Sequence, residues 1–143
     1  MTDYTKGKIY AVKFNDDNNA MYIGSTTQNL STRLQLHKYD DTCTLYRYVK
    51  SHHNGDWSKC TINLIDNVEC NCRKELDTLE GAKLKEIANS NNHYIINKSI
   101  AGRTHKEYYQ DNIAKYRKYY KDNAEIKKGY QRAYNARLKN KSI

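Results

Sequence analysis

The chain has 143 residues, a formal net charge of +9 and a mean hydropathy of −1.04. That length suits one small domain with an appendage, and the basic balance selects a polyanionic partner, nucleic acid ahead of an anionic membrane. No apolar run approaches the ~18 residues of a membrane span, and the opening MTDYTKGKIY lacks a signal-peptide core, so the expectation is an intracellular protein of the cytoplasm or nucleus with reduced thiols and no membrane partner.

In chain order, Lys8 to Lys13 (KIYAVK) predicts a strand. Asn15-Asp16-Asp17-Asn18-Asn19 is turn chemistry, because Asn and Asp tolerate left-handed backbone and bond it locally. Ala20 to Gly24 is the second strand of the hairpin. A helix over Leu30–Tyr39 follows, capped by Thr27 or Asn29, with Leu30, Leu34 and the Leu36-His37 region on one face. Cys43 to His52 predicts a second helix with Leu45, Tyr48 and Val49 inward, and His52-His53 is its frayed end. Lys59 to Val68 (KCTINLIDNV) alternates as a third strand. Arg73 to Ala88 predicts a third helix burying Leu76, Leu79, Leu84 and Ile87, and Tyr94 to Asn97 is a short closing segment. The order β-β-α-α-β-α predicts a small α/β domain on a three-stranded, mainly antiparallel sheet flanked by helices.

Charge divides the chain near Ala101-Gly102. Residues 103–143 hold twelve Lys/Arg against four Asp/Glu, whereas 1–102 is nearly neutral. The tail repeats: Tyr108-Tyr109-Gln110-Asp111-Asn112 returns eleven residues later as Tyr119-Tyr120-Lys121-Asp122-Asn123, and Tyr130 keeps the period. Eleven residues are three helical turns, which predicts one long basic helix with a tyrosine stripe. Lys106, Lys115, Arg117, Lys118, Lys121, Lys127, Lys128 and Arg132 are the candidate phosphate contacts. Homodimerisation through the stripe is a further expectation.

The four cysteines lack the paired C-x2-4-C spacing of zinc modules. The zinc site left open would combine Cys60, Cys70, Cys72 and a histidine. The abundance of Asn, Lys, Ile and Tyr, all read from A/T-rich codons, suggests a virus- or mobile-element-encoded protein.

Lys8-Ile9-Tyr10, a turn, Tyr22-Ile23-Gly24, then Arg33 and His37 one turn apart on the next helix, resembles the GIY-YIG nuclease signature. Glu80 in Leu79-Glu80-Gly81-Ala82 and Asn97 in Tyr94-Ile95-Ile96-Asn97 match the family's late acidic and closing positions. Lys8 stands where the family's first glycine would be. The resemblance covers residues 7–102 and implies a DNA endonuclease domain over 1–102, with the basic helical tail over 103–143. It implies Tyr10 as general base, Tyr22 as an orienting group, Arg33 as phosphate clamp, His37 as proton or hydroxyl partner, Asn97 as a support, and Glu80 as ligand to Mg2+ or Mn2+. Glu75 and Glu86 are alternative carboxylates on the same predicted helix. The chemistry asks for these types: Arg binds phosphate through two donors, and Mg2+ keeps several waters, so one carboxylate can hold it. A phenol near pKa ~10 needs nearby positive charge to serve as a base, from Arg33, the metal, Lys8 or Lys13. The alternative function is a nucleic-acid-binding protein that keeps the fold without turnover.

Overall fold

Gly7–Phe14 forms β1, and both of its faces are covered, which is why its sequence runs almost continuously apolar. The structure is a computed structural model and describes residues 1–90 and 92–141. The predicted tail's final positions, 142 and 143, lie outside the described residues. The chain divides into two units, Met1–Arg103 and Thr104–Ile143.

In the first unit, β1 pairs antiparallel with β2 (Ala20–Thr26) through the predicted hairpin. Helices α1 (Leu30–Tyr39) and α2 (Thr44–His52) follow, then β3 (Cys60–Val68), α3 (Arg73–Asn89) and β4 (Tyr94–Ile95). The sheet order is β3-β1-β2-β4. β4 pairs parallel with β2, so the sheet has four strands where three were expected; it is mixed, with its two longer pairings antiparallel as expected. Two paired residues leave too short a signal for sequence periodicity to register.

Each face of the sheet carries its own core. Tyr10, Val12, Phe14 and Ala20 pack with Leu45, Tyr48 and Val49 of α2. Ile9, Ala11, Met21 and Ile23 pack with Leu84 of α3. The result is a helix–sheet–helix sandwich. The β1–β3 register shifts between Ile9 and Tyr10. This bulge bends the ladder beside Tyr10.

Two predicted inward leucines point out instead: Leu36 is 44% and Leu79 39% exposed. On α3 the buried position beside Leu79 is taken by Glu80. His53, expected at a frayed helix end, is buried and stacks on Phe14 with ring centroids 4.7 Å apart. Gly81 looks out of place inside a helix, but any Cβ there would meet the Ala101 carbonyl, where the chain passes back over α3. Gly102 adopts φ +65 as it crosses Asp77 and Thr78.

The second unit is three helices rather than one: α4 (His105–Asp111), α5 (Ile113–Asp122) and α6 (Ala124–Lys141). The breaks fall at Asn112 and Asn123, the last residue of each repeat copy. Each asparagine leaves helical geometry (φ −110 and −103) and donates its Nδ2 to the carbonyl four residues back, Tyr108 or Tyr119, at 2.8 Å. A side chain that satisfies a terminal carbonyl competes with helix continuation. Thr104 and Glu107 form a reciprocal capping box at the start of α4. Among the described residues, no helix is long and apolar enough to cross a membrane.

Candidate active site

β1 and β2 bring Tyr10 opposite Gly24. The Tyr10 ring lies directly over this glycine: a Cβ at position 24 would stand 2.6 Å from Tyr10 Cζ. Glycine is required here for space, not for backbone conformation. The α1 helix then lays two side chains on the same hydroxyl. Arg33 Nε donates to Tyr10 Oη at 3.1 Å, and His37 Nε2 lies 2.7 Å from it. Arg33 and His37 share a face because they are four residues apart on a helix.

Donor counting orients this chain of bonds. Arginine only donates, so Tyr10 Oη accepts from Arg33 and turns its own hydrogen to His37 Nε2. His37 must then carry its proton on Nδ1, which faces Cys43 Sγ at 3.2 Å. The sequence of donors is therefore Arg33 to Tyr10 to His37 to Cys43. Tyr22 completes the cluster edge-on to His37, with ring centroids 5.5 Å apart.

Burial sets the electrostatics. Tyr10 is 0% and His37 2% exposed. Loss of water pushes the Tyr10 hydroxyl up to about 12, against the opposing pull of Arg33. Tyr22 is raised further for the same reason, with the charge form of Tyr10 adding to it. His37 is depressed to about 4, by burial first and by Arg33 second, so it is a neutral acceptor. Arg33 loses some preference for charge through burial, but the Tyr10 oxygen more than restores it and its pKa rises.

Glu80 reaches the sheet from its other face. Ser25, next along β2 from Gly24, donates its hydroxyl to Glu80 Oε2 at 2.5 Å. The carboxylate is 9% exposed and its pKa is raised, chiefly by burial, with the Ser25 bond opposing. Its charge couples to the tyrosine cluster: Glu80 raises Tyr10, and Arg33 lowers Glu80. One strand thus carries Tyr22 and Gly24 toward the phenol cluster and Ser25 toward the carboxylate. The alternative carboxylates are engaged elsewhere, Glu75 with the Asn71 backbone at 2.8 Å and Glu86 with Lys83 at 2.9 Å. Neither expected lysine helps the phenol: Lys8 Nζ bonds the Lys6 carbonyl, and Lys13 lies on the α3 side beside Ala11 and Met21.

Asn97 is a backbone clamp. Its Oδ1 accepts from Ile23 N at 2.9 Å and its Nδ2 donates to Ile23 O at 2.7 Å. It extends the β2–β4 pairing by one residue with a side chain and fixes the strand on which Tyr22, Gly24 and Ser25 sit.

A single carboxylate with a hydroxyl beside it fits a hydrated magnesium ion, which needs few protein ligands. It does not make a zinc cage: among the described residues, no group of three or more His, Cys, Asp or Glu converges. The open Cys60/Cys70/Cys72 arrangement is not assembled; Cys70 is buried and Cys72 exposed. The eight predicted phosphate-contacting lysines and arginines of the tail are all exposed. Ser25 and Cys43 were not singled out from sequence. The Tyr-Ile-Gly-Ser run was the available signal for Ser25; for Cys43 there was none, since its role comes only from the α1–α2 turn.

The chain is 33% identical over 90 residues to a putative MSV199 domain-containing protein 146R of Invertebrate iridescent virus 6, an alignment covering 60% of this chain and 35% of that protein. The chain thus spans about a third of the length of this curated relative, whose viral source accords with the codon-type composition. No protein-family model matches the chain, and no solved structure does.

Proposed function

We propose that this protein is a divalent-metal-dependent DNA endonuclease of the GIY-YIG kind. The observation that carries the reading is one phenol oxygen held between an arginine and a neutral histidine, with a buried carboxylate of α3 coupled to it and held by Ser25 of the neighbouring strand.

The geometry supplies a route for a proton. Free Tyr10 phenolate is scarce: at a pKa of about 12, its fraction at neutral pH is on the order of 10⁻⁵. The hydrogen-bond direction avoids that cost. As a water attacks phosphorus, Tyr10 Oη takes the water's proton while passing its own to His37 Nε2. The bond to the leaving nucleotide oxygen breaks in the same displacement. Arg33 keeps its two terminal nitrogens for the scissile phosphate, its Nε being committed to Tyr10. Phosphate there offsets the positive field that depresses His37, so substrate makes His37 a better proton acceptor. A metal on Glu80 would neutralise charge on the phosphoryl and leaving oxygens. The basic tail adds affinity through phosphate contacts.

The test is cleavage of supercoiled plasmid in Mg2+, with EDTA as control, by the wild type, Arg33→Ala and Glu80→Gln. Cleavage by the wild type, with both variants binding DNA but not cutting it, supports the reading; equal cutting by all three rejects the assigned site. One observation favours the second reading, a DNA-binding protein without turnover: Tyr10 is wholly buried, so the side chains over it must part before a water reaches the hydroxyl. Binding with no cleavage of linear, supercoiled or branched DNA selects that alternative.

A further inference from the structure

We infer that the elbow between α4 and α5 is a binding site for an unpaired nucleobase and its phosphate. The inference deepens the reading of the tail as nucleic-acid binding and rests on it.

Tyr108, Asn112, Lys115, Tyr116, Tyr119 and Tyr120 line a cleft of about 250 Å³. The break at Asn112 makes it: α5 turns away from α4, and tyrosines one repeat apart line the same hollow. Its walls are aromatic, and Lys115 supplies a cation at the lining. Tyr119 and Tyr120 remain 55% and 57% exposed. In a Tyr-rich, Lys-rich segment of net charge +8, this combination of flat rings and cations matches a base with its phosphate, not an apolar partner.

The repeat shows that the ring arrangement is built in. Tyr116 stacks on Tyr109 seven residues earlier, with centroids 5.5 Å apart. One repeat on, Lys127 takes the same place over Tyr120, its Nζ 3.9 Å from the ring centroid. Each unit therefore covers its second tyrosine with the residue seven positions later, a ring in one copy and a cation in the next. The first tyrosines, Tyr108 and Tyr119, line the cleft together with Tyr116 and Tyr120, and Lys127 Nζ also stands 5.3 Å from the Tyr119 ring centroid.

The cleft selects single strands. Tyrosine faces engage base faces, and in a duplex those are shielded by neighbouring pairs; a duplex presents phosphates and groove edges instead. A hollow of this size admits one base and excludes a double helix. Duplex DNA meets the same tail only through its lysines and arginines. The tail would thus direct the front domain to junctions, flaps or melted sites.

The test uses the full chain carrying Glu80→Gln, in EDTA, with fluorescence anisotropy of labelled oligothymidine, oligouridine and a short duplex. Tyr116→Ala and Tyr119→Ala are expected to weaken oligothymidine binding about 5- to 150-fold, the range of one base–aromatic stack, and to leave duplex binding within about twofold. Tyr116→Phe and Tyr119→Phe should bind like the parent, because stacking needs the ring and not the hydroxyl. If an alanine variant loses helicity by circular dichroism, Tyr119→Leu replaces it, keeping apolar volume without a π face. Equal loss on duplex and single strand, no loss in any variant, or a change only in self-association overturns the site. Tighter binding of oligothymidine or of oligouridine identifies which nucleic acid supplies the base. Plasmid cleavage by the chain with native Glu80 is scored separately, so a failed cleft and a failed nuclease site are told apart.

Discussion

Replacing His37 with glutamine tests the polarity of the buried bond chain through stability alone. His37 is 2% exposed, and its imidazole is held at about 4 against 6.5 in the open chain. Because the folded value lies below the unfolded one, the unfolded chain takes up the proton first as pH falls. The stability tied to neutral His37 is therefore complete above pH ~6.5 and drains away as pH falls toward 4. Between pH 7 and pH 5 the two values give a loss of about 2 kcal/mol from this residue. Glutamine keeps an acceptor for the Tyr10 hydroxyl and does not titrate. Urea unfolding followed by the fluorescence of Trp57, the chain's one tryptophan, reports the front unit at both pH values. The wild type should lose about 2 kcal/mol more than His37→Gln across that interval; every other titrating group is common to both proteins and cancels. Parallel losses would mean that His37 is not held neutral, and the assignment of Tyr10 as its hydrogen donor would fall with it.

Three further outcomes follow from the same geometry. Glu80 has a folded pKa above its unfolded value, so its ionised form weighs against folding as pH rises; Glu80→Gln should therefore be more stable than the wild type at neutral pH, with the difference shrinking as pH falls, while cutting Mg2+-dependent cleavage by at least about a hundredfold, read by urea titration and initial rates. Gly24→Ala drives a methyl into Tyr10, and should cost about 1–3 kcal/mol and roughly a hundredfold in cleavage; a fully active variant refutes the close approach. Asn97→Ala removes both side-chain bonds to the Ile23 backbone and should cost about 2–4 kcal/mol in the same melts, because two partly buried backbone groups are left without partners.

Where sequence reading succeeded, the signal was local. Turn residues at 15–19, alternating apolar runs and helical spacing located β1, β2, α1, α2, β3 and α3, since each is defined by near neighbours. Arg33 and His37 were legible for the same reason, their spacing of four putting them on one helix face. Glu80 and Asn97 came only through the family resemblance, and what holds Glu80 was not legible, because it depends on what lies across the sheet. Ser25 is an ordinary serine until α3 brings Glu80 to it, and Gly81 is an ordinary defect until Ala101 is seen to need the room. Leu79, expected inward, is exposed beside the buried Glu80, because hydrophobic spacing does not anticipate a buried acid held by a hydroxyl. In the tail, the period of eleven suggested one continuous helix, yet the Asn that ends each repeat interrupts it: side-chain competition for a carbonyl outweighed the continuous pattern.

The clamp between Asn97 and Ile23 joins residues 74 positions apart, and this orders events during synthesis. The strand bearing Tyr22, Gly24 and Ser25 is made early, while β4 and Asn97 emerge only after α3. Until then one side of that strand has no partner, and the segment at Ala101 has yet to pass back over α3 at Gly81. A ribosome-bound chain ending short of residue 97 therefore lacks the support that holds its cluster in register. The cluster of Tyr10, Arg33 and His37 and its carboxylate thus reach their full support only once nearly all of the front unit has left the ribosome.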